Sequence, residues 1–196
     1  MIGAVFISDR ADLYLADCVA SFQEMNAASG VPTYTVDDRA HRLGMAGAVR
    51  EAWSWALDND FDYLLHIEED FRFHRLPLKG MQRILETQPH LAQVVLKRQP
   101  WSIEERAAGG IIERHPGDYT QHSDGELLWV EHERIFSLNP TLIPKKILQL
   151  GWPDSNEAGM TQRCLMAGYR FAFYGHRQDP PRVEHVGSVR GEGWRL

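Results

Sequence analysis

Asp62-Tyr63-Leu64-Leu65-His66-Ile67-Glu68-Glu69-Asp70-Phe71-Arg72-Phe73 is the stretch on which the reading of this chain turns. Tyr63 to Ile67 is a short, almost unbroken apolar run, the pattern of a strand covered on both faces and too brief for a separate helix. It stops abruptly in three acids and an aromatic-basic-aromatic triplet. Such a strand end lies at the carboxyl edge of a sheet, where open α/β folds bind ligands. Three adjacent carboxylates repel one another, and a bound cation relieves that repulsion; a solvated acidic turn is the plainer alternative.

Outward from this strand, the same punctuation repeats. Ile2 to Ile7 is an apolar strand closed by Ser8-Asp9-Arg10, and Thr33 to Val36 is a β-rich run closed by Asp37-Asp38. Leu15, Val19, Phe22 and Met25 predict a helix from about residue 11 to 26. Val49, Trp53, Ala56 and Leu57 predict another from Gly44 to Asp58. This β-α-β-α-β alternation implies a sheet of parallel strands joined by right-handed crossovers. Beyond it, Pro77 opens a helix bearing Leu78, Met81 and Leu85, and Leu91 to Leu96 makes a fourth strand. Residues 99–125 lose periodicity and read as an ordered flap carrying Trp101, His115 and His122. A strand over residues 126–136, a short helix from Pro144, a helix over 154–167 capped by Gly168 and a strand over 169–174 complete the pattern.

Whole-chain properties narrow the function. With 196 residues the chain is expected to form one domain. A net charge of −6 argues against general nucleic-acid affinity, which needs clustered Lys and Arg. No apolar run is long enough to span a bilayer, and the N-terminal run lacks a basic leader, so no transmembrane segment is expected. Two cysteines, Cys18 and Cys164, make no disulfide framework, which fits the cytoplasm. Nucleophile-elbow, Walker, His-Glu-x-x-His and Cys-x-x-Cys motifs are absent from the sequence.

Several residues carry candidate chemistry. Glu68 and Asp70, two apart, face one side if the strand geometry persists, and hard cations such as Mg²⁺ or Mn²⁺ prefer oxygen ligands. Asp70 would bind the metal, and Glu68 either the metal or a ribose hydroxyl. His185 joins them only if the tail folds back to the same edge. Arg190 and Arg195, set among glycines, could close on a diphosphate. Glu157 is poised between two roles: partner of Asp154 in a variant capping box, or general base for an acceptor hydroxyl. Trp101 and Trp129 lie where an acceptor could stack, whereas Trp53 and Trp55 read as core.

Taken together, the strand ends at Ser8-Asp9-Arg10 and Asp37-Asp38, the helix from Gly44 and the Glu-Glu-Asp strand resemble a GT-A glycosyltransferase of the family-2-like kind. Later segments extend the likeness: residues 96–101, Phe136-Ser137-Leu138-Asn139-Pro140, the Glu157 helix, residues 169–175 and Val183-Glu184-His185-Val186-Gly187. They are similar to small glycosyltransferases encoded by bacteriophages of actinobacteria, which would place the protein in a host cytoplasm. The resemblance implies an α/β Rossmann-like sandwich with a central, mostly parallel sheet flanked by helices, residues 1–98 its nucleotide-sugar-binding half and 99–196 its acceptor-side half with a C-terminal metal-binding tail. It also implies a nucleotide-sugar donor, a divalent cation (Mn²⁺ or Mg²⁺), and an acceptor that is a protein, lipid or glycan. Asp70 and His185 would then be the metal ligands and Glu157 the base of an inverting enzyme. Asp9, Arg10 and Asp37 would grip the nucleoside, and Glu68 and Glu69 would join them on the donor. The motif is Glu-Glu-Asp instead of Asp-x-Asp, which leaves the direct ligand open among Glu68, Glu69 and Asp70. A nucleotidyltransferase, another metal-dependent nucleotide-processing enzyme, or a non-catalytic carbohydrate-binding module are the alternatives.

Overall fold

A computed structural model describes residues 1–9, 14–26 and 30–187. In chain order the strands and helices are β1 (Ile2–Ser8), α1 (Leu15–Asn26), β2 (Thr33–Asp37), α2 (Asp38–His41), α3 (Gly44–Asp58), β3 (Tyr63–Glu68), β4 (Phe71–Phe73), α4 (Leu78–Thr87) and β5 (Leu91–Val95). They continue as α5 (Ile103–Ala108), α6 (Ile111–Arg114), β6 (Tyr119–Ser123), β7 (Leu128–His132), β8 (Thr141–Pro144), α7 (Lys145–Leu148), α8 (Glu157–Met166), β9 (Arg170–Tyr174) and β10 (Val183–His185).

Eight strands form one sheet in the order β2-β1-β3-β8-β5-β9-β7-β6, and β10 pairs with β4 in a separate ribbon. β1 lies parallel to β2 and to β3, and β5 lies parallel to β9. The other four pairings are antiparallel. The sheet is therefore mixed, which corrects the expectation of a mostly parallel one. Two of these antiparallel pairings belong to β7 and two to β8, a four-residue strand that the sequence reading passed over, which slots between β3 and β5. Through it, strands from residues 1–98 and 99–196 interleave.

Helices cover both faces because successive strand residues point to opposite sides. Ala4, Phe6, Leu65 and Ile67 pack with α1 and α4; Val5 and Leu64 pack with α3, α7 and α8. On α3 the buried positions Ala48, Val49, Ala52, Trp53 and Ala56 make one stripe, as an amphipathic helix on a sheet requires. Phe22 of α1 meets Phe6 edge-on at 5.3 Å and Phe73 at 5.8 Å, which ties the β4 ribbon to the core. α8 begins at Glu157 with Asn156 as its cap, accepting from the Ala158 N–H at 3.0 Å. The expected Asp154-x-x-Glu157 box is thus corrected: the asparagine next to the helix outcompetes the more distant aspartate.

The expected flap is ordered. Ser102 caps α5 by accepting the Glu105 N–H at 3.1 Å, and Gly109 ends it at φ 92°. Tyr119–Ser123 then pairs with β7 as an edge strand.

Candidate functional site

At Glu68 the main sheet lets the chain go. The Glu69 N–H still reaches the Ile7 carbonyl at 3.0 Å, but Phe71–Phe73 peels off to pair with β10. The register sets His185 opposite Phe71, and the Val186 N–H donates to the Asp70 carbonyl at 2.8 Å. The two side chains flanking this ribbon meet: Nε2 of His185 lies 3.1 Å from Oδ2 of Asp70, both largely enclosed. The backbone of Gly187 lies against the same carboxylate, where a Cβ would come within 3.0 Å of Asp70 Cβ and Cγ.

A cleft opens beside the pair, lined by Ile7, Asp9, Asp38, Met45, Ala48, Glu68, Glu69 and Asp70. Strand alternation and α3 account for it, since Ile7 and Glu68 point toward the α3 face and Met45 and Ala48 look back from the helix. Glu69 lines the cleft yet is only 4% exposed, its carboxylate accepting the hydroxyl proton of the buried Ser8. It braces the floor by tying β1 to β3.

Asp37 sits differently from expectation. Its Oδ1 accepts the Ala40 N–H at 3.1 Å as the cap of α2. The neighbour Asp38, which the sequence reading did not single out, lines the cleft and accepts the Gly44 N–H at 2.8 Å. Trp129 is a correction: it is 3% exposed, inside the core, with its indole N–H on Glu131 at 2.8 Å and His122 stacked on its ring. A strand residue facing a covered sheet face has no surface to offer an acceptor. Trp101 stays at the site, its indole edge-on to the His185 ring with 3.9 Å between centroids. Arg10, Arg190 and Arg195 lie outside the described residues.

Glu157 accepts the Leu138 N–H at 2.6 Å. Burial raises its pKa above the ordinary carboxylate value, opposed by that hydrogen bond and by the nearby Arg98 charge. Arg98 also forms a two-pronged pair with Glu105, at 2.7 and 3.0 Å, and bridges to Val183. One arginine thus sits between the Glu157 helix, the flap and β10.

Asp70 and His185 fit a hard cation. Oδ1 of Asp70 and Nδ1 of His185 are enclosed without a hydrogen-bond partner among the described residues. Ligand bonds of about 2.1 Å in octahedral array place neighbouring donors roughly 3 Å apart, close to the observed separation. Among the described residues, no three His, Cys, Asp or Glu side chains are grouped to hold a metal. Remaining ligands would come from water and phosphate oxygens, as is usual for Mg²⁺-like ions. A larger hollow of about 340 Å³ opens at the opposite edge of the sheet, lined in part by Asp118, His122, Glu131 and Arg134. Its arginines are taken by acids, Arg134 by Asp118 and Arg170 by Glu133.

No protein-family model matches the chain, and no curated protein sequence matches it. Solved structures do. A197 from STIV is similar over 98% of this chain and 100% of its own, with a TM-score of 0.57 and 13% identity. GalNAc-T7, solved with UDP, GalNAc and Mn²⁺, is similar over 97% of this chain, with a TM-score of 0.62 and 9% identity. The chain spans 44% of that protein's length. At these identities the likeness is one of fold: an α/β architecture, with a mixed eight-stranded sheet between helices, that matches a GT-A glycosyltransferase structure. Among the described residues, no helix is long and apolar enough to cross a membrane.

Proposed function

We propose that this chain is a glycosyltransferase that moves a sugar from a nucleotide-sugar donor to an acceptor hydroxyl with the help of Mn²⁺ or Mg²⁺. The observation that carries the reading is the approach of Asp70 and His185 at 3.1 Å beside a cleft on the carboxyl edge of the sheet. The GT-A-like fold, and the UDP and Mn²⁺ held by one protein that shares it, support it.

Asp70 and His185 would hold the cation, which when bound offsets negative charge on the departing diphosphate. Asp9, Asp38 and Glu68 offer acceptor oxygens to donor hydroxyl and N–H groups, and Ile7, Met45 and Ala48 form an apolar wall for a base. Glu157, its pKa raised by burial, takes the acceptor hydroxyl proton. The acceptor oxygen then bonds to the anomeric carbon as the carbon–phosphate oxygen bond breaks, the nucleoside diphosphate leaves, and the configuration inverts. Trp101, on the flap, is the aromatic surface left for the acceptor side.

The test is a thermal-shift panel of UDP-, GDP- and dTDP-sugars and nucleoside triphosphates, each with and without Mn²⁺. A ligand at a hundred times its Kd stabilises the folded state by about 2.7 kcal/mol. The reading expects one nucleotide-sugar to raise the melting temperature only when Mn²⁺ is present, and Asp70→Ala to erase the shift. It is overturned if only triphosphates stabilise, which points to nucleotidyl transfer, or if a sugar binds equally without the cation and in the Asp70→Ala protein.

A further inference from the structure

We infer that Gln99 is a positioning residue that sets the His185 imidazole against Asp70; this rests on the cation-binding reading of that pair. β10 is only three residues long, and one of its edges is paired with β4. On the other edge, His185 meets a side chain acting as a strand. The Gln99 amide Nε2–H donates to the His185 carbonyl at 2.9 Å, and the His185 N–H donates to Gln99 Oε1 at 2.9 Å. The histidine backbone is thus held from both sides.

The segment that carries Gln99 is itself fixed. Arg98 before it grips Glu105, and the Trp101 N–H after it donates to Glu105 Oε2 at 2.7 Å. Both side chains of that pair are nearly buried, at 13% and 9% exposure, where an ion pair with good geometry is held firmly. Trp101 and Phe71 then bracket the imidazole, their ring centroids 3.9 and 4.9 Å from its own. A ligand ring held by packing and by its own backbone enters a coordination sphere already oriented, and loss of such support weakens metal affinity by about ten- to a hundredfold at established sites. Gln99 acts one step further back, through the backbone, so a smaller effect is expected.

The experiment uses Gln99→Met, which keeps length and bulk but not the hydrogen bonds, and Gln99→Glu, which keeps the acceptor and loses the donor. Mn²⁺ alone is titrated into the full chain while the His185 ring proton resonance, assigned from His185→Ala, is followed for paramagnetic broadening. Melting temperatures of the metal-free proteins are measured in parallel. Gln99→Met is expected to raise the half-broadening Mn²⁺ concentration about three- to tenfold, the range of one or two lost hydrogen bonds. Gln99→Glu falls between. Thr161→Ala removes two hydrogen bonds, from the Phe136 N–H and to the Glu157 carbonyl, both outside the β4–β10 ribbon, and is expected to lower the melting temperature without moving the midpoint. The inference is overturned if Gln99→Met leaves the midpoint unchanged, or if Thr161→Ala moves it as much. Should His185→Ala bind Mn²⁺ as the unmodified protein does, by loss of the free-ion spin resonance signal, the failure belongs to the cation reading itself.

Discussion

Nε2 of His185 stands 3.1 Å from Oδ2 of Asp70, although more than half the chain separates them. Backbone pairing brings them there: β4 leaves the main sheet just after Asp70, and β10 returns from the far end of the described chain to lie along it. A contact built on a strand ladder is reproducible in a way that two flexible surface side chains are not. It tolerates little added bulk, because the Asp70 carboxylate is walled by Gly187.

Gly187→Ala is expected to separate the pair. The new methyl would sit 3.0 Å from Asp70 Cβ and Cγ, and closer to Oδ2, so either the carboxylate or the β10 tail must move. Overpacking of this kind costs about 1–3 kcal/mol, read as a lower urea midpoint, and Mn²⁺ affinity should drop with it.

Glu157→Gln keeps an oxygen for the Leu138 N–H while removing the base. On the proposed mechanism kcat falls by about 10²–10⁴ with little change in melting temperature. On that mechanism the activity of the unmodified protein should rise with pH through the Glu157 pKa, above the ordinary carboxylate range because burial disfavours the charge. Loss of that limb in Glu157→Gln, seen in a pH–rate profile, is the check.

His66 is fully buried in β3 with neither ring nitrogen hydrogen-bonded among the described residues, and burial pushes its pKa down to about 3. The unfolded chain takes up this proton near pH 6.5 and the folded chain does not, so the stability contribution is complete above 6.5 and is lost as pH falls toward 3. Within that window each pH unit costs about 1.4 kcal/mol. His66→Leu should raise stability at pH 7 by about 1 kcal/mol, since no bond is broken and two unpaired polar atoms disappear. The gain should widen as acid is added, in urea melts at pH 7, 6 and 5.

Glu105→Ala strands the nearly buried Arg98 and frees the Trp101 N–H. Breaking a buried pair from one side costs about 3–5 kcal/mol. Hydrogen exchange should accelerate across residues 99–108 before it does in β3 or β5, because the flap is attached to the core through this pair.

Much of the first half was legible because its signals are local. The stripe on α3 spans Gly44–Asp58, the bounds read from periodicity, and β3 ends at the acids. α5 also carried a local signal, Ser102 three residues before Glu105 and a glycine after, which an aperiodic reading of the flap overlooked. Strands β6 and β8 were harder: the first is polar at a sheet edge, and the second is four residues ending in a proline that reads as a helix start.

The chain's own order of residues determined the alternating α/β half, the burial of its strands and the placing of acids at a strand end, since each follows from side-chain periodicity within a dozen positions. Only the tertiary structure decided that β8 runs antiparallel, that Asp37 caps a helix while Asp38 lines the cleft, that Trp129 is interior, and that Gln99 and Asp70 both reach His185. Those are choices of partner between distant segments. Local pattern limits which face a residue presents, but the packing of the whole sheet selects what it meets there.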